Sequence, residues 1–327
     1  MNAPNRLASS DTLSTLAADA SEFGHALLAG LGTSPKSLPC KYFYDEAGSI
    51  LFDQICELPE YYPTRTELSL LEARAGDFAA LIGADAELVE FGAGAGRKVR
   101  LLLDALERPR AYLPIDISGD YLQGVADRLD ADYPDLRVRP IVADYTKPFA
   151  LPPVTADARR IGFFPGSTIG NFPRPEAVAF LRMAARLLAG GGLLIGVDLV
   201  KDPNVLHAAY NDAAGVTAAF NKNILKRAND ELGADFDLDG FAHHAFYDPR
   251  AQRIEMHLVS LARQRVRLLG HDIHFAEGET THTEDSHKYT VEGFRALAAE
   301  AGFAPRAVWT DPDRLFSVHW LAAPEAT

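Results

Sequence analysis

Residues 281–290 read "THTEDSHKYT": two histidines, two carboxylates, a serine and three threonines in ten positions. Such a stretch can ligate a metal, form a catalytic constellation, or be a plain solvated loop. If it is extended, side chains alternate, so Glu284 and Ser286 share one face, His282 lies on their side and His287 faces away. Metal ligation is the first chemistry that ten histidines suggest. His271 with His274, His282 with His287, and the neighbours His243 and His244 are the available pairs. None has a strong ligand spacing, and adjacent histidines on a strand point apart, so no metal is expected.

A second chemical signature is "VEFGAGAGRKVR" (89–100). Gly92, Gly94 and Gly96 let the chain bend sharply and approach a ligand, and a helix N-terminus beyond them offers free N–H groups. A G-x-G-x-G run alone fits a dinucleotide fold or an ordinary strand-to-helix turn. Its surroundings narrow the choice. Glu90 precedes the glycines, Asp116 ends the next apolar run, and Asp144 ends the one after that. A carboxylate at the second position can take both ribose hydroxyls, and one at the third can accept from an adenine amino group. The bland alternative is three solvated loop acids. Pyrophosphate cofactors favour a full G-x-G-x-x-G, absent here, whereas S-adenosylmethionine, with a sulfonium and no phosphate, suits an acid-lined crevice. Downstream, "FFPGSTIGNF" places Asn171 where a methyl acceptor could be held, although asparagine after glycine is also a common turn residue.

These residues need elements to position them. A helical pattern begins near Glu67, with Leu68, Leu71 and Ala75 on one face. Strand candidates follow at 87–91, 111–116, 137–144, 160–167 and 193–200. Helical segments separate them, one opening at Ser118 as its expected N-cap and another stopped by the glycines at 190–192. Strands alternating with helices imply a parallel sheet covered on both faces. After Val200 the rhythm breaks: 201–250 reads as helical and polar, and 253–269 as one long strand or a hairpin. It resumes with a helix at 291–303 and two C-terminal strands. The expected fold is therefore α/β, a seven-stranded class I methyltransferase (Rossmann-like) sheet with one reversed strand and an inserted α+β lobe. On this division 66–200 and 291–327 form the S-adenosylmethionine-binding domain, and 11–65 with 201–290 a second lobe. Residues 1 to about 10 are expected to be disordered.

Composition agrees with a globular enzyme: 327 residues, 47% hydrophobic and 24% charged. A formal charge of −13 argues against nucleic acid or an anionic membrane as partner. Two cysteines, Cys40 and Cys56, make no disulfide framework and suit a reducing compartment. No signal-peptide pattern opens the chain. The most apolar long stretch, 180–200, holds two arginines and a triple glycine where a membrane span needs about 20 nearly uninterrupted apolar residues. A cytoplasmic monomer acting on a small molecule is the expectation.

Several longer motifs resemble one family in order and over nearly the whole chain: "KYFYDEAGSILFDQICELPEYYPTRTE", "FFPGSTIGNF", "DLVKD", "AAYNDAAGVTAAFNKNIL", "ADFDLDGFAHHAFYD", "RIEMHL" and "TEDSHKY". The family is the histidine Nα-methyltransferases of ergothioneine biosynthesis. The resemblance implies S-adenosylmethionine-dependent trimethylation of the α-amino group of L-histidine to hercynine, with S-adenosylhomocysteine released. It also implies a two-lobed architecture, with 11–65 and 201–290 as the substrate-binding lobe. Tyr61 and Tyr210 match the family's substrate tyrosines; Asn171 and Tyr210 would hold the carboxylate and amine end, and Tyr44 the junction of amine and cofactor. Tyr44 and Asn171 are the catalytic candidates. Glu284 and Ser286 would bind the imidazole, with Met256 of "RIEMHL" flanking the ring or simply packed in the core. Gly92, Lys98, Asp116 and Asp144 match cofactor positions, and Tyr145 and Tyr44 join them. This chain departs from the family in its loop "GAGAGRKV", richer in glycine than the "GSGTSEKT" of some members. Asp285 and His287 also replace apolar or cysteine neighbours.

Two other readings are distinguishable. A fungal relative of the family methylates a prenylated tryptophan, so the acceptor could be another aromatic amino acid; retention of Glu284 favours a substrate with an N–H to donate. A catalytically silent S-adenosylmethionine-binding protein is the third, and the set Tyr61, Asn171 and Tyr210 argues against it.

Overall fold

The computed structural model describes residues 22–154 and 158–325. The expected disorder of residues 1 to about 10, and the first part of the expected lobe, lie outside these. In chain order, residues 22–31 form helix α1, followed by β1 (Lys36–Ser37), α2 (Glu46–Cys56), α3 (Tyr62–Ile82), β2 (Glu87–Phe91), α4 (Arg97–Leu103), β3 (Ala111–Asp116), α5 (Gly119–Asp132), β4 (Arg137–Val138), β5 (Ile141–Val142) and β6 (Arg160–Phe164). Then come α6 (Arg174–Leu187), β7 (Gly192–Asp198), α7 (Pro203–Tyr210), α8 (Val216–Leu232), β8 (Phe241–Asp248), β9 (Arg253–Ser260), β10 (Gln264–Leu268), β11 (His271–Phe275), β12 (Thr280–His287), α9 (Val291–Glu300), β13 (Ala304–Thr310) and β14 (Phe316–Ala322).

The chain divides into two compact units. The larger comprises Tyr44–Thr217, Phe246–Glu255 and Asp285–Thr327. Its sheet runs β13-β14-β7-β6-β2-β3, with β4 and β5 both on the far edge of β3. Every described pairing is parallel except those of β14, which is antiparallel to β7 and β13. This is the class I methyltransferase arrangement with its one reversed strand. The expected strand 137–144 is split because Pro140 has no N–H to give to the ladder, so the edge position is filled by two short pieces. β2, β6 and β7 are buried along their whole length, as strands covered on both faces must be. One face packs Phe91, Phe164, Phe180 and Phe294; the other packs Phe78, Val99, Leu129 and Trp320.

Local details differ from the sequence pattern at two helices. α3 begins five residues before Glu67, because Pro63 suits a helix's first turn. Its buried face is Glu67, Leu70, Leu71, Phe78 and Ile82, while Leu68 is half-buried. Ser118 stands at the N-cap of α5, yet its side chain makes no capping bond; its own N–H is taken by the Asp116 carboxylate at 3.1 Å.

The smaller unit contains the segment ending at Phe43, Ala218–Ala245 and Met256–Glu284. Its core is aromatic: Phe43 meets Phe220 at 4.8 Å between centroids, and Phe241 meets Phe275 at 5.2 Å. The stretch 253–269 is neither one strand nor a β9–β10 hairpin. β9 lies in a four-stranded sheet of order β1-β12-β9-β8, and β10 pairs with β11. The division into units falls within β8, β9 and β12, and it assigns 44–65, 201–217, 246–255 and 285–290 to the larger unit rather than to a separate lobe. Side-chain chemistry ties the first two of those segments there: Tyr62 and Lys201 both bond Asp198 at the end of β7.

Candidate active site

In a parallel sheet, loops at the carboxyl ends of the strands are where ligands bind. After β2 the chain turns through Gly92, Gly94 and Gly96, all with positive φ (74°, 49° and 71°), and α4 starts at the next residue. A Cβ on Gly92 would lie 3.5 Å from the Tyr145 hydroxyl, and one on Gly96 would press Val125 at 2.9 Å. The loop is thus built for close approach. Asp116, at the end of β3, accepts from Gly94 N–H at 3.4 Å and Ser118 N–H at 3.1 Å. Burial raises its pKa, against the lowering effect of those bonds.

Glu90 is fully buried beneath the loop and accepts from the Tyr112 hydroxyl. Desolvation pushes its pKa up to about 8, with Tyr112 and Lys98 opposing and Asp116 and Glu67 adding. Lys98, expected at the cofactor, has its ammonium on the buried Glu67 carboxylate at 2.7 Å. Glu67 also accepts from Gly166 N–H at 2.8 and 3.0 Å. One acid therefore braces the loops after β2 and β6. Asp144 follows β5 and accepts from Thr146 N–H at 3.0 Å, with Lys147 at 3.9 Å. Tyr145 packs against Phe91, Phe164 and Phe180.

After β6, Ser167 turns left-handed (φ 56°) and begins a 3-10 turn ending at Asn171. Gly170 in that turn leaves no room for a side chain, since a Cβ would stand 2.7 Å from the His287 carbonyl. Asn171 is thereby set beside the end of β12. An aromatic row runs from Tyr44 to Phe52 (5.6 Å), Tyr61 (6.3 Å) and Tyr210 (6.3 Å), each pair edge to face. The Tyr210 hydroxyl donates to Ser286 Oγ at 2.7 Å. The larger unit therefore joins Tyr44, Tyr61, Tyr210 and Ser286 in one series of contacts.

Beneath the last two lies a buried charge network that no pattern in the sequence pointed to. Lys288 donates to Ser286 Oγ (2.7 Å), Tyr210 Oη (3.1 Å) and Asp198 Oδ2 (2.8 Å). Asp198 also accepts from Lys201 and from Tyr62 at 2.7 and 2.9 Å, and its N–H donates to Ser167 Oγ at 2.8 Å. Burial works against every charge here. Even so, the two lysines hold Asp198 below the usual carboxylate range, and Asp198 with Tyr210 holds Lys288 above the usual lysine value. Lys201 is the member that yields, brought down to about 8 by burial and by the charge of Lys288 against the pull of Asp198.

Met256 and Glu284 belong to the smaller unit, both buried, on neighbouring strands; Thr283 Oγ1 donates to the Met256 carbonyl at 3.0 Å. The His282 ring meets His257 at 5.2 Å, and Asp285 pairs with Arg253 Nε at 3.1 Å. Among the described residues, no three His, Cys, Asp or Glu side chains gather as a metal site, and no helix is long and apolar enough to cross a membrane.

The sheet order, the glycine turn after its first parallel strand and the acids at the strand ends define a class I S-adenosylmethionine-dependent methyltransferase. A family model described as "Histidine-specific methyltransferase, SAM-dependent" matches residues 23–323. The histidine N-alpha-methyltransferase of Mycolicibacterium smegmatis is 46% identical over 87% of this chain and 89% of its own length. That of Mycobacterium tuberculosis is 43% identical over 86% and 89%. Ergothioneine biosynthesis protein 1 of Neurospora crassa is 29% identical over 88% of this chain and a 33% share of that longer protein. The chain belongs to the histidine-specific, S-adenosylmethionine-dependent methyltransferase family.

Proposed function

We propose that the chain adds three methyl groups in succession to the α-amino nitrogen of L-histidine, giving hercynine at the first step of ergothioneine biosynthesis. The observation that carries the site is the row Tyr44–Phe52–Tyr61–Tyr210 ending on Ser286, which aligns aromatic walls with hydroxyls as a small aromatic amino acid requires. Gly92, Gly94 and Asp116, with Asp144 and Tyr145, hold S-adenosylmethionine; the open glycine turn and a carboxylate at the end of β3 fit its adenosine. When bound, it supplies an electrophilic methyl group.

The residues of this chain then have to position a neutral amine in line with that methyl group. Asn171 and Tyr210 bind the carboxylate and amine end, and Tyr44 lines the approach. A hydroxyl- and amide-lined amine site lets the ammonium lose its proton to water, whereas a paired carboxylate would hold it charged. Such contacts also tolerate a nitrogen that gains bulk and loses N–H donors at each turn. At the other end Glu284 accepts from one ring N–H and Ser286 completes the second nitrogen, with Met256 beside the ring. Purified protein incubated with S-adenosylmethionine and a panel of amino acids and amines gives, on this reading, a product three methyl groups heavier from histidine alone. Methylation of a tryptophan-like amino acid instead would reassign the substrate, and no product from any amine would leave a silent binding protein.

A further inference from the structure

Lys288 has three N–H donors, and all three are placed: on Asp198, Ser286 and Tyr210. Tyr210 spends its own hydroxyl hydrogen on Ser286 Oγ. The serine oxygen therefore accepts twice, which fills both its lone pairs. Its hydrogen is left as the one donor of this cluster without an acceptor among the described residues. Asp198 cannot release the lysine, because Lys201 and Tyr62 hold its remaining lone pairs and all four side chains are buried or nearly so.

We propose that Lys288 is a positioning residue that fixes the polarity of the Tyr210–Ser286 pair, so that Ser286 can only donate and the substrate ring is taken as neutral imidazole with an unprotonated nitrogen at that point. This rests on the assignment of Ser286 to the ring made above. Net charge does not decide this, since Lys201 and Lys288 stand against Asp198 and the Glu284 carboxylate assigned above to the other ring N–H; the polarity of the serine does. Sequence parity accounts for the placement of Lys288 beside Ser286, since 284, 286 and 288 alternate onto one side of an extended chain and are all buried.

The charged and titratable groups around Lys288 and Ser286 are Asp198 and Lys201 after β7, Tyr62 on α3, Tyr210 on α7, Tyr247 on β8, Glu284 two positions before Ser286 on β12, and His287 and Tyr289 beside Lys288. The test is calorimetric binding of L-histidine to protein saturated with S-adenosylhomocysteine, from about pH 5.5 to about 8, across the ordinary imidazole pKa of about 6.5. Wild-type affinity should fall by up to about tenfold per pH unit below that pKa. A triazole analogue of histidine, whose ring stays neutral in this range, should show no such fall, which separates the substrate's ring from His287. Lys288→Met opens a serine lone pair, so the acid-side loss should shrink to about threefold or less per unit; Lys288→Arg should keep it. Tyr210→Phe opens a lone pair while leaving Lys288 in place, and it decides the matter if Lys288→Met fails to fold by melting or cofactor-product binding. An acid-side loss unchanged in folded Lys288→Met, or in Tyr210→Phe, overturns the proposal. If Ser286→Ala leaves histidine affinity untouched, the assignment of Ser286 to the ring is what fails.

Discussion

Glu284 is a buried carboxylate two positions from Ser286 on the same strand, and an extended chain sends both side chains to one side. Removing it leaves a ring N–H desolvated without an acceptor, which costs about 1–3 kcal/mol. Glu284→Ala should lower kcat/KM for histidine at least about tenfold while S-adenosylhomocysteine binds as before. Unchanged turnover at subsaturating histidine would remove Glu284 from the site. That pair was legible because strand parity is a local rule, and the same rule reaches Lys288. What parity does not show is the partner: Asp198 sits 90 positions upstream of Lys288, and Tyr62 another 136 upstream of Asp198. Only the folded sheet brings them within hydrogen-bond reach. Asp285, whose contribution the sequence left open, faces the other way and pairs with Arg253 on the neighbouring strand.

At the level of elements, small residues mark where one piece must approach another. Gly196, mid-strand in β7, would carry a Cβ only 2.0 Å from Glu67 Oε1 on α3. Gly196→Ala should push Glu67 off Gly166 and Lys98, lower stability by about 1–3 kcal/mol as overpacked sites do, and weaken S-adenosylhomocysteine binding. Gly76 on α3 is the contrasting case, exposed and with open space where a Cβ would go. Gly76→Ala should stabilise by about 0.4–1 kcal/mol without touching binding; urea unfolding with calorimetric titration reads both variants. The order of strands and helices was legible from alternation of apolar runs because the central ones, β2, β6 and β7, are buried over their whole length. The split of β4 from β5 at Pro140 and the idle Ser118 side chain were not. Each depends on which backbone group a neighbour has already claimed.

For the whole molecule the consequential quantity is charge. A chain with formal charge −13 repels itself more as pH rises, and that effect is shared by any variant of it. Glu90 adds a separate and local dependence. Its folded pKa of about 8 stands above the ordinary carboxylate value, so its sign is opposite to that of an ion-paired acid. Below about pH 4.5 both folded and unfolded chains hold the proton and its contribution to stability is complete. As pH rises from there, the unfolded chain releases a proton that the folded chain keeps. Stability is then lost by at most about 1.4 kcal/mol per pH unit until the folded group ionises near 8. Glu90→Gln keeps an acceptor for the Tyr112 hydroxyl and cannot ionise, so it should be free of this loss. The difference in melting temperature between Glu90→Gln and wild type should therefore move steadily in favour of the variant from about pH 5 to about 8, and level off above. Parallel curves across that range would mean that Glu90 is ionised in the folded protein and that Lys98 and Tyr112 outweigh its burial.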